Sequence, residues 1–250
     1  MRSGNPALSE QAFEKFDVFE VERSGAMTIQ GTALKAGVLL MLVVSAAAFT
    51  WWKFATVGQQ AAMPWMIGGL IGGLVLAIAT IFKPQWAPAT APLYAVAEGL
   101  FLGVISAMYN TMFYDGIVVQ AVCLTFGTLF AMLIAYQSGI IKASEKLKAG
   151  VIAATGGIML VYLGSFLLSV FFGMQNPMIY GNGLIGIGFS LFVVVIAALF
   201  LVLDFDAIEQ GAAHGAPKYM EWYGAFSLMV TLIWLYLEIL RLLSKLSSRD

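Results

Sequence analysis

The chain has 250 residues, of which 60% are hydrophobic and 11% charged, and its formal net charge is −1. Soluble domains carry about 25% charged residues, so this composition excludes an ordinary soluble globule and points to an integral membrane protein. A near-zero net charge and the lack of a GxxxxGKS loop exclude a nucleic-acid or P-loop nucleotide partner.

Residues 1–35 carry charges throughout and lack the apolar core of a secretory signal. They read as a cytoplasmic amino-terminal segment, followed by a transmembrane domain over 36–250, with the first span as its own insertion signal. Seven apolar runs follow, at about Ala36 to Trp52, Pro64 to Phe82, Ala91 to Asn110, Ile117 to Gln137, Ala149 to Phe172, Leu184 to Leu203 and Tyr223 to Leu243. An α-helix crosses the hydrocarbon in about 20 residues, which these lengths match. A β-barrel needs strands of alternating polarity, and LVLAIATIF and LFVVVIAALFLVL do not alternate. The expected fold is therefore an all-α, seven-transmembrane-helix bundle.

Trp51, Trp52 and Lys53 close the first run as an interfacial anchor. Gly68, Gly69, Gly72 and Gly73 on the second run, and the GxxxG of Gly99 and Gly103 on the third, mark places where helices approach closely. Pro84, Pro88 and Pro92 predict a short extended connection between those runs. Cys123, the sole cysteine, reads as an apolar packing residue, so no intrachain disulfide and no cysteine metal site is expected.

Lysine and arginine are unevenly distributed. Arg2, Lys15, Arg23 and Lys35, then Lys83, Lys142, Lys146, Lys148 and Lys218, fall on one side; Lys53, Arg241, Lys245 and Arg249 fall on the other. The positive-inside bias puts the amino terminus in the cytoplasm and the carboxyl terminus outside.

Against this apolar background the acids stand out, because a charge at the bilayer centre costs about 2.5–3.5 kcal/mol and needs a partner or a wet cavity. Glu98 lies seven residues into the third run, about 10 Å below its boundary. It is either a protonated acid bonded to a neighbouring helix or a carboxylate lining a wet cavity. The sixth run ends in LVLDFDAIEQ, which gathers Asp204, Asp206 and Glu209 at the cytoplasmic mouth, with Asp204 the one expected to face inward. Asp206 and Glu209 also fit a solvated loop. On the seventh run Thr231, Trp234, Glu238 and Arg241 share one stripe at three, four, three spacing, which should face protein. Glu238 and Arg241 form an i, i+3 ion pair near the outer surface, either a structural clamp or an outer constriction. His214 has no second ligand for a metal. No GxSxG turn, HExxH motif or convincing pair of intramembrane aspartates is present, so no enzyme is expected.

The last two runs resemble the Bax inhibitor-1 family, in its bacterial YccA and YetJ-like branch. LDFDAIEQ matches the end of that family's sixth helix, and SLMVTLIWLYLEILR, from Ser227 to Arg241, follows the spacing of its seventh. The amino-terminal NPAL and PLYAVAEGLFLGVIS in the third run are similar to a subgroup of the same family. The resemblance implies a bacterial inner-membrane calcium leak through a bundle with the seventh helix central, gated by two hydrogen-bonded aspartates that sense pH, with no cofactor beyond the permeant calcium ion. Asp204 falls on one family aspartate and Arg241 on the family arginine, but Thr231 stands in place of the second aspartate and Trp234 in place of an asparagine. The family's second-helix acid is missing between Pro64 and Phe82, and Lys83 is the candidate for the basic residue that closes that helix. Two carboxylates in contact share a proton and titrate as a pair, a property that a single aspartate beside a threonine lacks. Glu98 is the expected substitute partner of Asp204, the two holding calcium weakly, and Glu238 the substitute for the lost acid opposite Arg241. The partners implied are the lipid bilayer, calcium ions and protons. The alternative is a non-conducting interaction protein that modulates a membrane protease or a stress response through a membrane protein partner.

Overall fold

The computed structural model describes residues 25–173, 179 and 181–248. Arg2, Lys15, Arg23 and Arg249 of the charge count lie outside them. Within them seven helices are long and apolar enough to cross a membrane: α1 Ile29–Val57, α2 Gln59–Phe82, α3 Ala87–Met112, α4 Ile117–Gln137, α5 Glu145–Phe172, α6 Leu184–Ala213 and α7 Met220–Ser247. The seven-helix expectation holds, with longer helices than the apolar runs alone. α1 starts at Ile29, because Thr28 caps it by accepting from the Gly31 amide at 3.0 Å. α6 continues ten residues past Leu203, so its acids are helical and not in a loop.

The connection after α2 is not extended. Pro84–Trp86 forms a 3₁₀ turn, Pro88 sits in the first turn of α3, and Pro92 lies inside that helix. A first-turn proline lacks only an N–H that would have no helical acceptor, so Pro88 is compatible with a helix start. Between α1 and α2 the chain turns at Gly58 with φ 98°, a left-handed geometry that side chains disfavour.

The end of the bundle where α1, α3, α5 and α7 begin is termed the near end, and the opposite one the far end. α7 lies at the centre, packing on α1, α3, α4 and α6. It joins two cores. One is built on Leu39, Val43, Tyr94 and Leu102 from α1 and α3, the other on Ile117, Ala121, Leu201 and Phe205 from α4 and α6, and residues of α7 fill both. The outer faces expose large apolar side chains such as Leu34, Leu74, Leu160 and Phe171, as expected of helices facing lipid.

The GxxxG of α3 brings it against α1. A Cβ on Gly99 would stand 2.5 Å from the Val43 carbonyl oxygen, and one on Gly103 2.2 Å from that of Ala47. On α2 only half of the glycines serve this purpose: Gly69 and Gly73 press on α3, whereas Gly68 has nothing within 4 Å of its Cβ position and Gly72 only the Cβ of Ala97 at 3.8 Å. At the far end the Lys53 ammonium lies over Phe49 and Trp65, at 5.8 and 5.4 Å from their ring centres, and ties α1 to α2.

Candidate functional site

Because α6 stays helical, Asp204 and Asp206 point about 200° apart around its axis. Asp204 is directed into α7 and is 4% exposed. Its Oδ1 accepts from the Ser227 hydroxyl at 2.7 Å and its Oδ2 from the Thr231 hydroxyl at 2.6 Å. No cation lies within ion-pair distance of it among the described residues. A buried carboxylate held only by hydroxyls is dearly desolvated, yet keeps acceptor capacity for a further donor. Asp206 faces away, paired with Lys148 at 3.0 Å. Glu209 accepts from the Tyr136 hydroxyl at 2.5 Å.

Along α7 the polar stripe goes further than the four residues that mark it in the sequence. Thr231 and Glu238 are buried, Trp234 and Arg241 half-buried, and the three, four spacing continues back to Ser227 and on to Lys245. From Ser227 to Lys245 the stripe rises about 27 Å, close to the hydrocarbon thickness. Arg241 meets Glu238 at 2.8 Å, and the Tyr162 hydroxyl of α5 completes the cluster by donating to Glu238 and accepting from Arg241, each at 2.7 Å. The Lys245 ammonium, 3% exposed, donates to the Gly186 carbonyl at 2.9 Å and to the Ser190 hydroxyl at 2.8 Å at the start of α6. Between the Asp204 and Glu238 clusters the seam is apolar, with Trp234 edge-on to Phe200 at 6.5 Å between ring centres.

Two expected members are elsewhere. Glu98 does not meet Asp204: α7 packs between α3 and α6, and both Asp204 oxygens are taken by α7 hydroxyls. Glu98 instead pairs with the Tyr94 hydroxyl one turn earlier and fills the space over Gly73, its Oε1 2.6 Å from where a Cβ would be. The calcium-holding pair of Asp204 and Glu98 is therefore not assembled, and the described residues contain no group of three or more His, Cys, Asp or Glu suited to a metal ion. Lys83 is exposed at the end of α2 and has no ion pair among the described residues. The adjacency of helices that separates Glu98 from Asp204 leaves no trace in the spacing of residues along either one.

Among the described residues, the near-end basic side chains with a fully buried partner are Lys35 and Lys218. Both bind Glu221, which is fully buried in the first turn of α7, with Lys218 at 3.0 Å. Thr28 donates to the same carboxylate through its amide at 2.9 Å and its hydroxyl at 2.7 Å. This cluster pins residues 25–28 as a strap across the near end: the Met27 amide donates to Ala216 O at 2.7 Å and the Lys218 amide to Gly25 O at 2.9 Å. Met27 is 5% exposed and wedges against Gly211 and Gly224, beside Ile208 and Thr32. Ile208 is one turn from Asp204 on the same face, so the strap closes the mouth beneath that carboxylate. Sequence reading passed over Glu221, which sits among short-loop residues. Tyr162 is an ordinary aromatic in an apolar run. Lys245, by contrast, is signalled by the stripe's own periodicity.

A seven-helix membrane protein with its last helix central and a polar seam from Asp204 to Lys245 is the class these features define. Comparison with known families agrees: residues 5–248 match the family described as Bax inhibitor 1 like, and the chain belongs to it. No curated protein matches it significantly.

Proposed function

We propose that this protein is a pH-modulated cation leak, with calcium as the permeant ion, in a bacterial inner membrane, and that its near end is cytoplasmic. The observation that carries this reading is Asp204, a buried carboxylate without a cationic partner among the described residues, at the head of a polar seam that follows the central helix. The orientation is supported by Lys35, Lys83, Lys142, Lys146, Lys148 and Lys218 at the near end, against Lys53, Arg241 and Lys245 at the far end.

The chemistry follows from the charge on that carboxylate. An ionised Asp204 accepts from Ser227 and Thr231 together and holds α6 on α7. Protonation removes the charge that strengthens both contacts, and a neutral carboxyl holds the two α7 hydroxyls more weakly. Acidification therefore loosens α6 from α7 below the Trp234 and Phe200 barrier, and flux rises as pH falls. Calcium takes six to eight oxygens, and a lone carboxylate with hydroxyls and water holds it weakly enough for release.

The test is calcium flux into vesicles containing purified protein, across a pH series. Wild type should conduct more at acid pH, and Asp204→Asn should abolish that dependence. A second reading, a non-conducting interaction protein, is favoured by the far end, where Lys245 and Arg241 outnumber Glu238 and oppose an entering cation. Wild-type silence over the whole pH range, together with a copurifying membrane protein, selects that second reading.

A further inference from the structure

α1 and α4 both pack on α7 but stand apart from one another, which leaves a crevice open to the side of the bundle. Its near half is a cavity of about 620 Å³ lined by Ala33, Gly37, Phe130 and Leu133, with Met229 and Leu232 as floor. It continues towards the far end as a second cavity of about 440 Å³, reaching Trp51 and Tyr236 and sharing Leu40, Phe126, Met229 and Leu232 with the first. At this depth the side opening faces lipid tails.

Towards the near end the apolar crevice runs into a different kind of space. A cavity of about 650 Å³ lies under the α4–α5 connection and shares Tyr136, Gln137 and Glu209 with the crevice. Two of its charges are uncommitted. Lys142 has no ion pair among the described residues, and Glu209 has only the Tyr136 hydroxyl, whereas Asp206 on the same wall is already neutralised by Lys148. An apolar slot that opens at the membrane surface into a chamber where, among the described residues, Lys142 and Glu209 each lack an ion pair matches an amphiphile with an apolar tail and a headgroup bearing both signs.

We propose that this crevice binds one phospholipid of phosphatidylethanolamine chemistry, with an acyl chain between α1 and α4, its phosphate on Lys142 and its ammonium on Glu209. The primary ammonium donates N–H bonds that a trimethylated amine lacks, and the neutral glycerol of phosphatidylglycerol leaves Glu209 without a counter-charge. The site stands whether or not ions pass through the bundle.

Native mass spectrometry of the purified protein, with phosphatidylethanolamine, phosphatidylcholine and phosphatidylglycerol of the same chains added in turn, reads the occupancy directly. Phosphatidylethanolamine should be retained about tenfold better than the other two, the worth of one charge-assisted hydrogen bond. Glu209→Gln, an exposed position, should lower phosphatidylethanolamine to the phosphatidylcholine level, and Lys142→Glu should weaken all three. Gly37→Phe fills the slot, since nothing lies within 4 Å of the Gly37 Cβ position, and should reduce every lipid. Equal retention of the three lipids, a preference for phosphatidylglycerol, or occupancy unchanged in Gly37→Phe overturns the proposal.

Discussion

The Asp204 carboxylate is held to α7 by the Thr231 hydroxyl at 2.6 Å and the Ser227 hydroxyl at 2.7 Å. Thr231→Val removes one of two donors to a buried carboxylate and should lower stability by about 1–2 kcal/mol, read as a fall in melting temperature that is largest at alkaline pH, where Asp204 is ionised. Thr231→Asp places a second carboxylate at the same spot. The two cannot both ionise cheaply, so they share a proton, and the melting temperature should depend on pH more steeply than in the wild type, where a single carboxylate titrates. At this scale the sequence was informative wherever a charge interrupted an apolar run, and Asp204, Glu238 and Arg241 lie where their spacing put them. It was silent on partners from other helices: Tyr162 and Ser190 look like any hydroxyl in a span, and Glu98 was paired with the wrong helix.

The helices illustrate how far hydropathy carries. All seven were legible because each needs an apolar length to cross lipid, but their ends were not, since α6 and α1 continue into polar sequence on the strength of a cap or a packed neighbour. Glycine patterns were half informative for the same reason: periodicity shows that a face is smooth, and only the fold shows whether another helix uses it. Gly103→Leu should separate α1 from α3, because its first carbon alone would stand 2.1 Å from the Thr50 hydroxyl and 2.2 Å from the Ala47 carbonyl oxygen. Gly68→Leu, with open space around it, should fold like wild type and gain up to about 1 kcal/mol from helix propensity. Thermal melts of the two variants in one detergent check the contrast.

Over the molecule as a whole, the decisive arrangement is the Glu221 cluster, which binds the start of α1 to the start of α7 and holds the strap shut. Glu221→Gln replaces a carboxylate that serves two ammonium groups with an amide that serves neither as an ion. The strap should then open, and amide exchange at Met27 and Lys218 should accelerate to the rate of an unprotected turn, while the amides in the middle of α7 stay slow. Uniform exchange throughout the chain would instead mean that the cluster supports the entire bundle.

The central position of α7 also bears on how the protein is made. The helix that unites both cores follows the other six in the chain, so translation delivers the surrounding helices to the bilayer before the one they enclose. During that interval Lys35 and Asp204 lack Glu221, Ser227 and Thr231, and the two cores are joined only when α7 packs between α1, α3, α4 and α6.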